Sequence, residues 1–104
     1  MRQELDLKLQ VKQILALIQK VAPGKSVELR IPPYAAIQCV QGLTHRRGTP
    51  ANVVEMGPET LINLVSHPNK WVQFCASGDI TASGNKSDIG EIFVLINQLN
   101  QLKK

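Results

Sequence analysis

Hydrophobic residues near the start of the chain recur every three or four positions, which places them on one side of an α-helix. The side consists of Leu7, Val11, Ile14, Leu15, Ile18 and Val21. Pro23-Gly24 then gives a strong stop signal. The pattern predicts a helix over residues 3–21. Leu9 lies off this side, so it either touches a second surface or is exposed, which is the more common case for a single leucine.

Alternation of apolar and polar residues follows and predicts β-strands. In residues 26–31, the side chains of Val27, Leu29 and Ile31 point one way, and those between them point the other way. Pro32-Pro33 interrupts this strand. Residues 34–40 alternate poorly, which indicates a strand buried on both sides or paired irregularly. Further strands are predicted at 52–56 and 79–83.

Three more helices are predicted in the second half of the chain. Gly57-Pro58-Glu59 is a typical helix start, and His67-Pro68 ends that helix. A short helix follows at residues 70–76. The last helix begins near Ser87, which would be its N-cap.

The apolar side of the last helix is unusually broad. One stripe consists of Ile89, Ile92, Phe93, Ile96 and Leu99, and Leu95 and Leu102 widen it toward half the circumference. Two interpretations stay open. The helix is wedged between two packed layers, or one side rests on the sheet and the other lines an apolar cavity.

The order of these elements is helix, strands, helices, strand, helix. Regular alternation of strand and helix, which is typical of a parallel sheet, is absent. The sequence therefore predicts an α+β fold: a mostly antiparallel sheet of four to five strands, covered by N-terminal, central short and C-terminal helices. A chain of 104 residues fits a single domain, residues 1–104.

Charge and composition narrow the range of partners. The net charge of +4 is mildly basic, but Arg46-Arg47 and Lys103-Lys104 are the only adjacent basic pairs, and aromatic residues make up 4%. Nucleic-acid binders usually cluster their charge or add stacking aromatics, so we expect no nucleic-acid partner. The sequence has neither an apolar stretch of membrane-spanning length nor a signal peptide, so we expect no transmembrane segment and a cytoplasmic location.

Motifs for catalysis and metal binding are missing from the sequence. It has no Gly-x-Ser-x-Gly elbow, phosphate loop or dinucleotide fingerprint. The residues suited to zinc are each isolated: Cys39, His45, His67 and Cys75. We therefore expect no enzyme activity, no cofactor and no metal. A small enzyme using Cys39 would require that thiol to be exposed in electropositive surroundings.

The strongest polar constellation surrounds Arg46 and Arg47, with Asn52 and Glu55 close by in the sequence. Two guanidinium groups beside a glycine suit a carboxylate or phosphate, such as the head group of a lipid. The alternative is a solvated loop whose arginines pair with Glu55 or with nothing.

Two central segments resemble the bacterial branch of the sterol carrier protein family. Residues 27–39 read VELRIPPYAAIQC, and residues 45–55 read HRRGTPANVVE. The C-terminal half is also similar to that family, with a short helix entering a strand through Ser77-Gly78, a second glycine at Gly84, and a hydrophobic helix. His67-Pro68-Asn69 departs from the glycine-containing turn usual there, so we expect a different connection between the two short helices.

The resemblance implies a five-stranded sheet with an apolar tunnel between sheet and helices that accepts fatty acyl chains, sterols or related lipids. The residues expected to line it are Ile89, Ile92, Phe93 and Ile96, followed by Leu61, Leu64, Val65, Trp71 and Phe74. The same side chains would also make a filled core. The expected function is therefore non-enzymatic binding or transfer of an apolar ligand, with a protein-interaction or accessory module that binds no small molecule as the alternative.

Overall fold

The computed structural model describes residues 2–42 and 50–102, which form a four-stranded sheet with helices packed on one face. The elements, in chain order, are α1 (Arg2–Val21), β1 (Val27–Ile31), β2 (Ala35–Cys39), β3 (Asn52–Met56), α2 (Pro58–Ser66), a 3₁₀ turn (Pro68–Lys70), α3 (Trp71–Ser77), β4 (Ile80–Ser83) and α4 (Gly90–Leu102). The α+β class and the order of elements predicted from the sequence are confirmed.

The sheet is mixed, with strand order β2-β1-β3-β4. Strands β1 and β2 pair antiparallel with Leu29 opposite Ile37, and β3 and β4 pair antiparallel with Val54 opposite Ala82. Strands β1 and β3 pair parallel, which places Leu29 beside Val54. Antiparallel pairing thus dominates in the described part of the chain, as predicted, and the parallel pair at the centre is a feature that the sequence pattern did not indicate.

Alternation along the strands buries one face of this sheet. Val27, Leu29 and Ile31 on β1 are fully buried, as is Val54 on β3. The intervening side chains form the other face, where the Arg30 guanidinium pairs with the Glu28 carboxylate. That face stays open to solvent or is only partly covered, so the helices and the core lie on one side of the sheet.

The helices pack on this buried face through stripes spaced three or four residues apart. Helix α1 contributes Val11, Leu15 and Ile18, all of which lie in the hydrophobic core. Leu9 is 56% exposed, which is the more common of the two alternatives stated for it. No helix within residues 2–42 and 50–102 combines the length and hydrophobicity needed to cross a bilayer.

Buried polar groups tie the strands together at one end of the sheet. The side-chain amide of Asn52 donates to the Ser26 carbonyl oxygen over 2.9 Å, and its Oδ1 accepts from the Lys86 backbone N–H over 2.8 Å. The Ser26 hydroxyl donates to the Val40 carbonyl oxygen over 2.8 Å. These bonds link β1, β3, the end of β2 and the loop after β4.

The predicted start of the last helix is wrong. Helix α4 begins at Gly90, not near Ser87. The Ser87 hydroxyl donates to the Gly84 carbonyl oxygen over 2.8 Å and so closes a turn, whereas the Asp88 carboxylate accepts from the Gly90 N–H over 3.2 Å. The side chain that accepts from a backbone N–H at the start of α4 is therefore Asp88, and the observed bond of the Ser87 hydroxyl runs to the turn that precedes it.

The second side of α4 is open to solvent. Leu95, Leu99 and Leu102 are 49%, 38% and 82% exposed. Neither interpretation of the broad apolar side therefore holds for these three leucines, because neither a second packed layer nor a cavity wall encloses them. We call this set the leucine stripe.

Candidate functional site

The apolar residues predicted to contact a ligand meet in one place. Helix α2 contributes Leu61, Leu64 and Val65, α3 contributes Trp71 and Phe74, and α4 with its preceding residue contributes Ile89, Ile92, Phe93 and Ile96. We call these nine residues the apolar cluster. All belong to the hydrophobic core except Val65 and Phe74, which are partly buried and pack against it.

The local sequence explains why these side chains converge. On α2 the spacing of Leu61, Leu64 and Val65 puts all three on one side of the helix. Pro68 then starts a 3₁₀ turn, and the His67 N–H donates to the Asn63 carbonyl oxygen over 2.8 Å to close α2. This connection turns the chain so that α3 presents Trp71 to the same cluster.

Trp71 and Phe93 form the aromatic centre of the apolar cluster. Their ring centroids lie 6.1 Å apart and their planes are inclined by 25°, which is a stacked arrangement. A Cβ atom on Gly90 would approach Trp71 Cγ to 3.0 Å. The indole therefore lies directly against the first turn of α4, and α3 and α4 are closely packed.

A surface cleft of about 500 Å³ opens where the ends of α2 and α4 meet. Its lining consists of Val65, Ser66, Asn97, Asn100 and Gln101. We call it the α2–α4 cleft. Val65 belongs both to this lining and to the apolar cluster, so the cleft is a point at which the cluster reaches the surface.

Asn97 holds the two helices together at this cleft. Its Nδ2 donates to the Val65 carbonyl oxygen over 3.1 Å and to the Ser66 carbonyl oxygen over 3.5 Å. Its Oδ1 accepts from Gln101 Nε2 over 3.2 Å. The last carbonyl groups of a helix lack hydrogen-bond partners within the helix. The Asn97 side chain provides such a partner for the last two carbonyls of α2. The apolar periodicity of α4 gives no indication of Asn97, although the amides at 97, 100 and 101 recur at helical spacing.

The structure describes only Asn52 and Glu55 of the predicted polar constellation. Arg46 and Arg47 lie outside the described residues. Asn52 is 4% exposed and Glu55 is exposed, and the register of β3 puts them on opposite faces of the sheet. Glu55 lies beside Arg30 across the strands. Asn52 and Glu55 therefore do not contribute to one common anion site.

Cysteine chemistry is disfavoured at Cys39. The side chain is fully buried, and burial raises the pKa of this thiol to about 11. The reactive thiolate is therefore scarce near neutral pH, and the exposure that an enzymatic role requires is absent. Cys75 is partly buried, and both cysteines are free. Within residues 2–42 and 50–102, no three His, Cys, Asp or Glu side chains come together as a metal site would require.

Comparison with known protein families identifies a match that covers most of the chain. The sequence family described as bacterial SCP ortholog, where SCP denotes sterol carrier protein, matches residues 2–95. This span contains all of the apolar cluster except Ile96, which is the next residue. No curated protein matches the chain.

Proposed function

Since this chain belongs to the bacterial SCP ortholog family, we propose that it binds or transfers an apolar ligand without catalysing a reaction. Membership points to a lipid-binding or carrier role in general. The ligand we propose is a fatty acid, a sterol-like molecule or another lipid, held between the sheet and helices α2, α3 and α4.

The observation that carries the proposal is the continuity between the apolar cluster and the α2–α4 cleft at Val65. A lipid chain that enters there meets aliphatic and aromatic side chains from three helices. Each Å² of apolar ligand surface removed from water contributes roughly 25 cal/mol. Such a ligand is therefore held without a dedicated polar contact.

The cluster is packed in this state, because Trp71 stacks on Phe93 and most of its members are buried. Ligand entry therefore requires α2 and α4 to separate. The side-chain bonds described at this point are those of Asn97, and a neutral hydrogen bond contributes only about 1 kcal/mol net. Separation of α2 from α4 at this end breaks the Asn97 bonds and leaves in place the Trp71–Phe93 stack, which joins α3 to α4.

Arg46 and Arg47 are proposed contacts for an acidic head group, on the chemistry of the guanidinium alone. The proposed location of the protein is the cytoplasm. Two free cysteines agree with a reducing compartment.

The test is a titration of the purified protein with a fluorescent fatty acid, followed by displacement with unlabelled lipids. We expect saturable binding of one molecule per chain and competition by unlabelled lipids of similar chain length. Folded protein that shows no saturable binding of any lipid offered would contradict the proposal.

The second candidate is an interaction module that binds another protein and no small molecule. The observation that favours it is the leucine stripe, since exposed apolar patches often mark protein contacts. The titration with the fluorescent fatty acid separates the two candidates. An interaction module leaves the fatty acid unbound, whereas substitution of its exposed leucines weakens its binding to a protein partner.

A further inference from the structure

Asn97 occupies a place on α4 where an apolar residue would continue the buried stripe. It follows Phe93 by four residues, so the two side chains lie on the same side of the helix. Phe93 and Ile96 are fully buried, whereas Asn97 is only partly buried. The stripe that faces the core therefore ends in an amide at the α2–α4 cleft, which Asn97 lines.

The bonds that Asn97 makes are of a kind that water can replace. Its Nδ2 donates to the carbonyl oxygens of Val65 and Ser66, which are the last two residues of α2. When the helices part, water bonds to the amide and to the carbonyls, so the net loss of free energy is small. An apolar side chain in the same place would instead expose its surface to water at each opening. The contact made by Asn97 is therefore suited to repeated opening.

We propose that Asn97 is a latch that holds the α2–α4 cleft closed and sets how fast a lipid enters and leaves. The inference rests on the proposed function, because it concerns the entry to the same apolar cluster. Asn97 acts on α2 through backbone carbonyls, so it positions the two helices and offers no apolar surface to the ligand. Gln101 holds the amide in this orientation, since its Nε2 donates to Asn97 Oδ1 over 3.2 Å.

A latch of this kind changes the rates of binding and release and leaves the affinity alone. The bonded carbonyls are backbone atoms at the end of α2 and not side chains of the apolar cluster. The same bonds therefore form in the empty and in the loaded chain, and their loss lowers the barrier to entry and the barrier to exit by the same amount. A residue that contacts the ligand would instead change the ratio of the two rates, which is the Kd.

Stopped-flow mixing with a fluorescent fatty acid, and displacement by excess unlabelled lipid, measure the two rates. Asn97→Ala should raise both about fivefold, the factor that corresponds to one neutral hydrogen bond, with the Kd unchanged. Asn97→Asp keeps the volume of the side chain but puts a carboxylate, which donates no bond, against two carbonyl oxygens. We expect it to raise both rates at least as much.

Matched variants distinguish the latch from other effects. Asn100→Ala and Asn100→Asp make the same changes at a second asparagine that lines the cleft, and both should bind and release lipid as wild type. Ser26→Ala removes a side-chain bond to the Val40 carbonyl oxygen, so it should lower stability to a similar extent and leave both rates unchanged. A change in rates that is confined to the Asn97 variants is therefore not a result of general destabilisation.

Thiol labelling tests the latch without a ligand. Val65→Cys, in a chain that also carries Cys39→Ala and Cys75→Ala, places a single thiol where the cleft meets the apolar cluster. We expect the further change Asn97→Ala to raise the labelling rate of this thiol about fivefold, and Asn100→Ala to leave it unchanged.

The outcomes separate the latch from the proposed function. Wild-type rates in Asn97→Ala overturn the latch and leave the function intact, and so does a changed Kd with an unaltered rate of entry. Folded protein that binds no lipid overturns the function. The labelling experiment then decides whether Asn97 holds the helices together, because faster labelling of Asn97→Ala supports this role and equal labelling overturns it.

Discussion

The indole ring of Trp71 stacks on the phenyl ring of Phe93, with 6.1 Å between ring centroids. This contact joins α3 to α4 at the centre of the apolar cluster. Trp71 is the one tryptophan of the chain, so its fluorescence reports on the place where we propose that a lipid binds. The apolar cluster that contains this contact is thus part of the hydrophobic core and is also the proposed ligand site.

Truncation of Phe93 should be costly. Phe93 is fully buried, so Phe93→Ala removes its packing and leaves a cavity, which typically costs about 3–5 kcal/mol of unfolding free energy. Phe93→Leu, which retains much of the volume, should cost less. Urea unfolding followed by circular dichroism measures both. Val72→Ala, at a 75% exposed position of α3, is the control and should change stability by less than about 0.5 kcal/mol.

Obstruction of the α2–α4 cleft should weaken ligand binding more than folding. Val65 is partly buried at the cleft, so Val65→Glu puts a charge in the path of an apolar chain. We expect the affinity for a fluorescent fatty acid to fall at least about tenfold, which corresponds to about 1.4 kcal/mol. Val72→Glu introduces the same charge at an exposed site and should bind as wild type. Equal affinities for the two variants would show that ligand does not enter past Val65.

The role of the arginine pair is testable with two ligands of equal chain length. If Arg46 and Arg47 hold a carboxylate, the double variant Arg46→Gln/Arg47→Gln should lose affinity for a fatty acid and retain affinity for the corresponding fatty alcohol. Arg30→Gln is the matched control, because Arg30 is exposed on the open face of the sheet. Unchanged affinity for the fatty acid would assign the pair to a solvated loop.

Periodicity predicted most elements closely because it reflects which residues are buried. The predicted strand at 52–56 coincides with β3, and α1 begins one residue earlier than predicted and ends where expected. Spacing on α2 and α4 also identified side chains that pack together. These properties depend on neighbours along the chain, which the sequence shows directly.

The spacing of apolar residues does not show long-range contacts or competing local hydrogen bonds. The parallel pairing of β1 with β3 joins distant segments, so alternation within either strand carries no information about it. Ser87 has the chemistry of a helix cap, but its hydroxyl bonds back to Gly84. The tie made by Asn97 links residues about thirty positions apart. Whether a packed apolar cluster admits a ligand is likewise not encoded in its spacing.

Gly84 should tolerate substitution poorly. Its φ of 106° favours glycine, and a Cβ atom there would overlap the side chain of Asn52. Gly84→Ala should therefore add the loss of the Asn52 bonds, about 1–3 kcal/mol, to the cost of the backbone strain. Gly78→Ala is the matched control, because Gly78 has a φ of 88° with open space around its Cβ position. Similar unfolding free energies for both variants would contradict the importance of the Asn52 network.

Stability should fall at alkaline pH because of Cys39. Burial raises the pKa of this thiol from 9.0 to about 11, so above pH 9 the unfolded chain loses a proton that the folded chain retains. The stabilisation is complete below pH 9 and is lost as the pH rises toward 11, by about 3 kcal/mol in total. Cys39→Ala lacks this contribution, so the difference between its pH profile and that of the wild type isolates the thiol. Parallel profiles would show that the thiol does not titrate in this way.

Native mass spectrometry of the purified protein, followed by denaturing extraction, tests the central claim most directly. We predict that the chain carries one fatty acid, sterol-like molecule or other lipid, or takes one up when it is offered, and that uptake changes the fluorescence of Trp71. A chain that is empty after purification and that stays empty with every lipid offered, while folded by circular dichroism, would contradict the account.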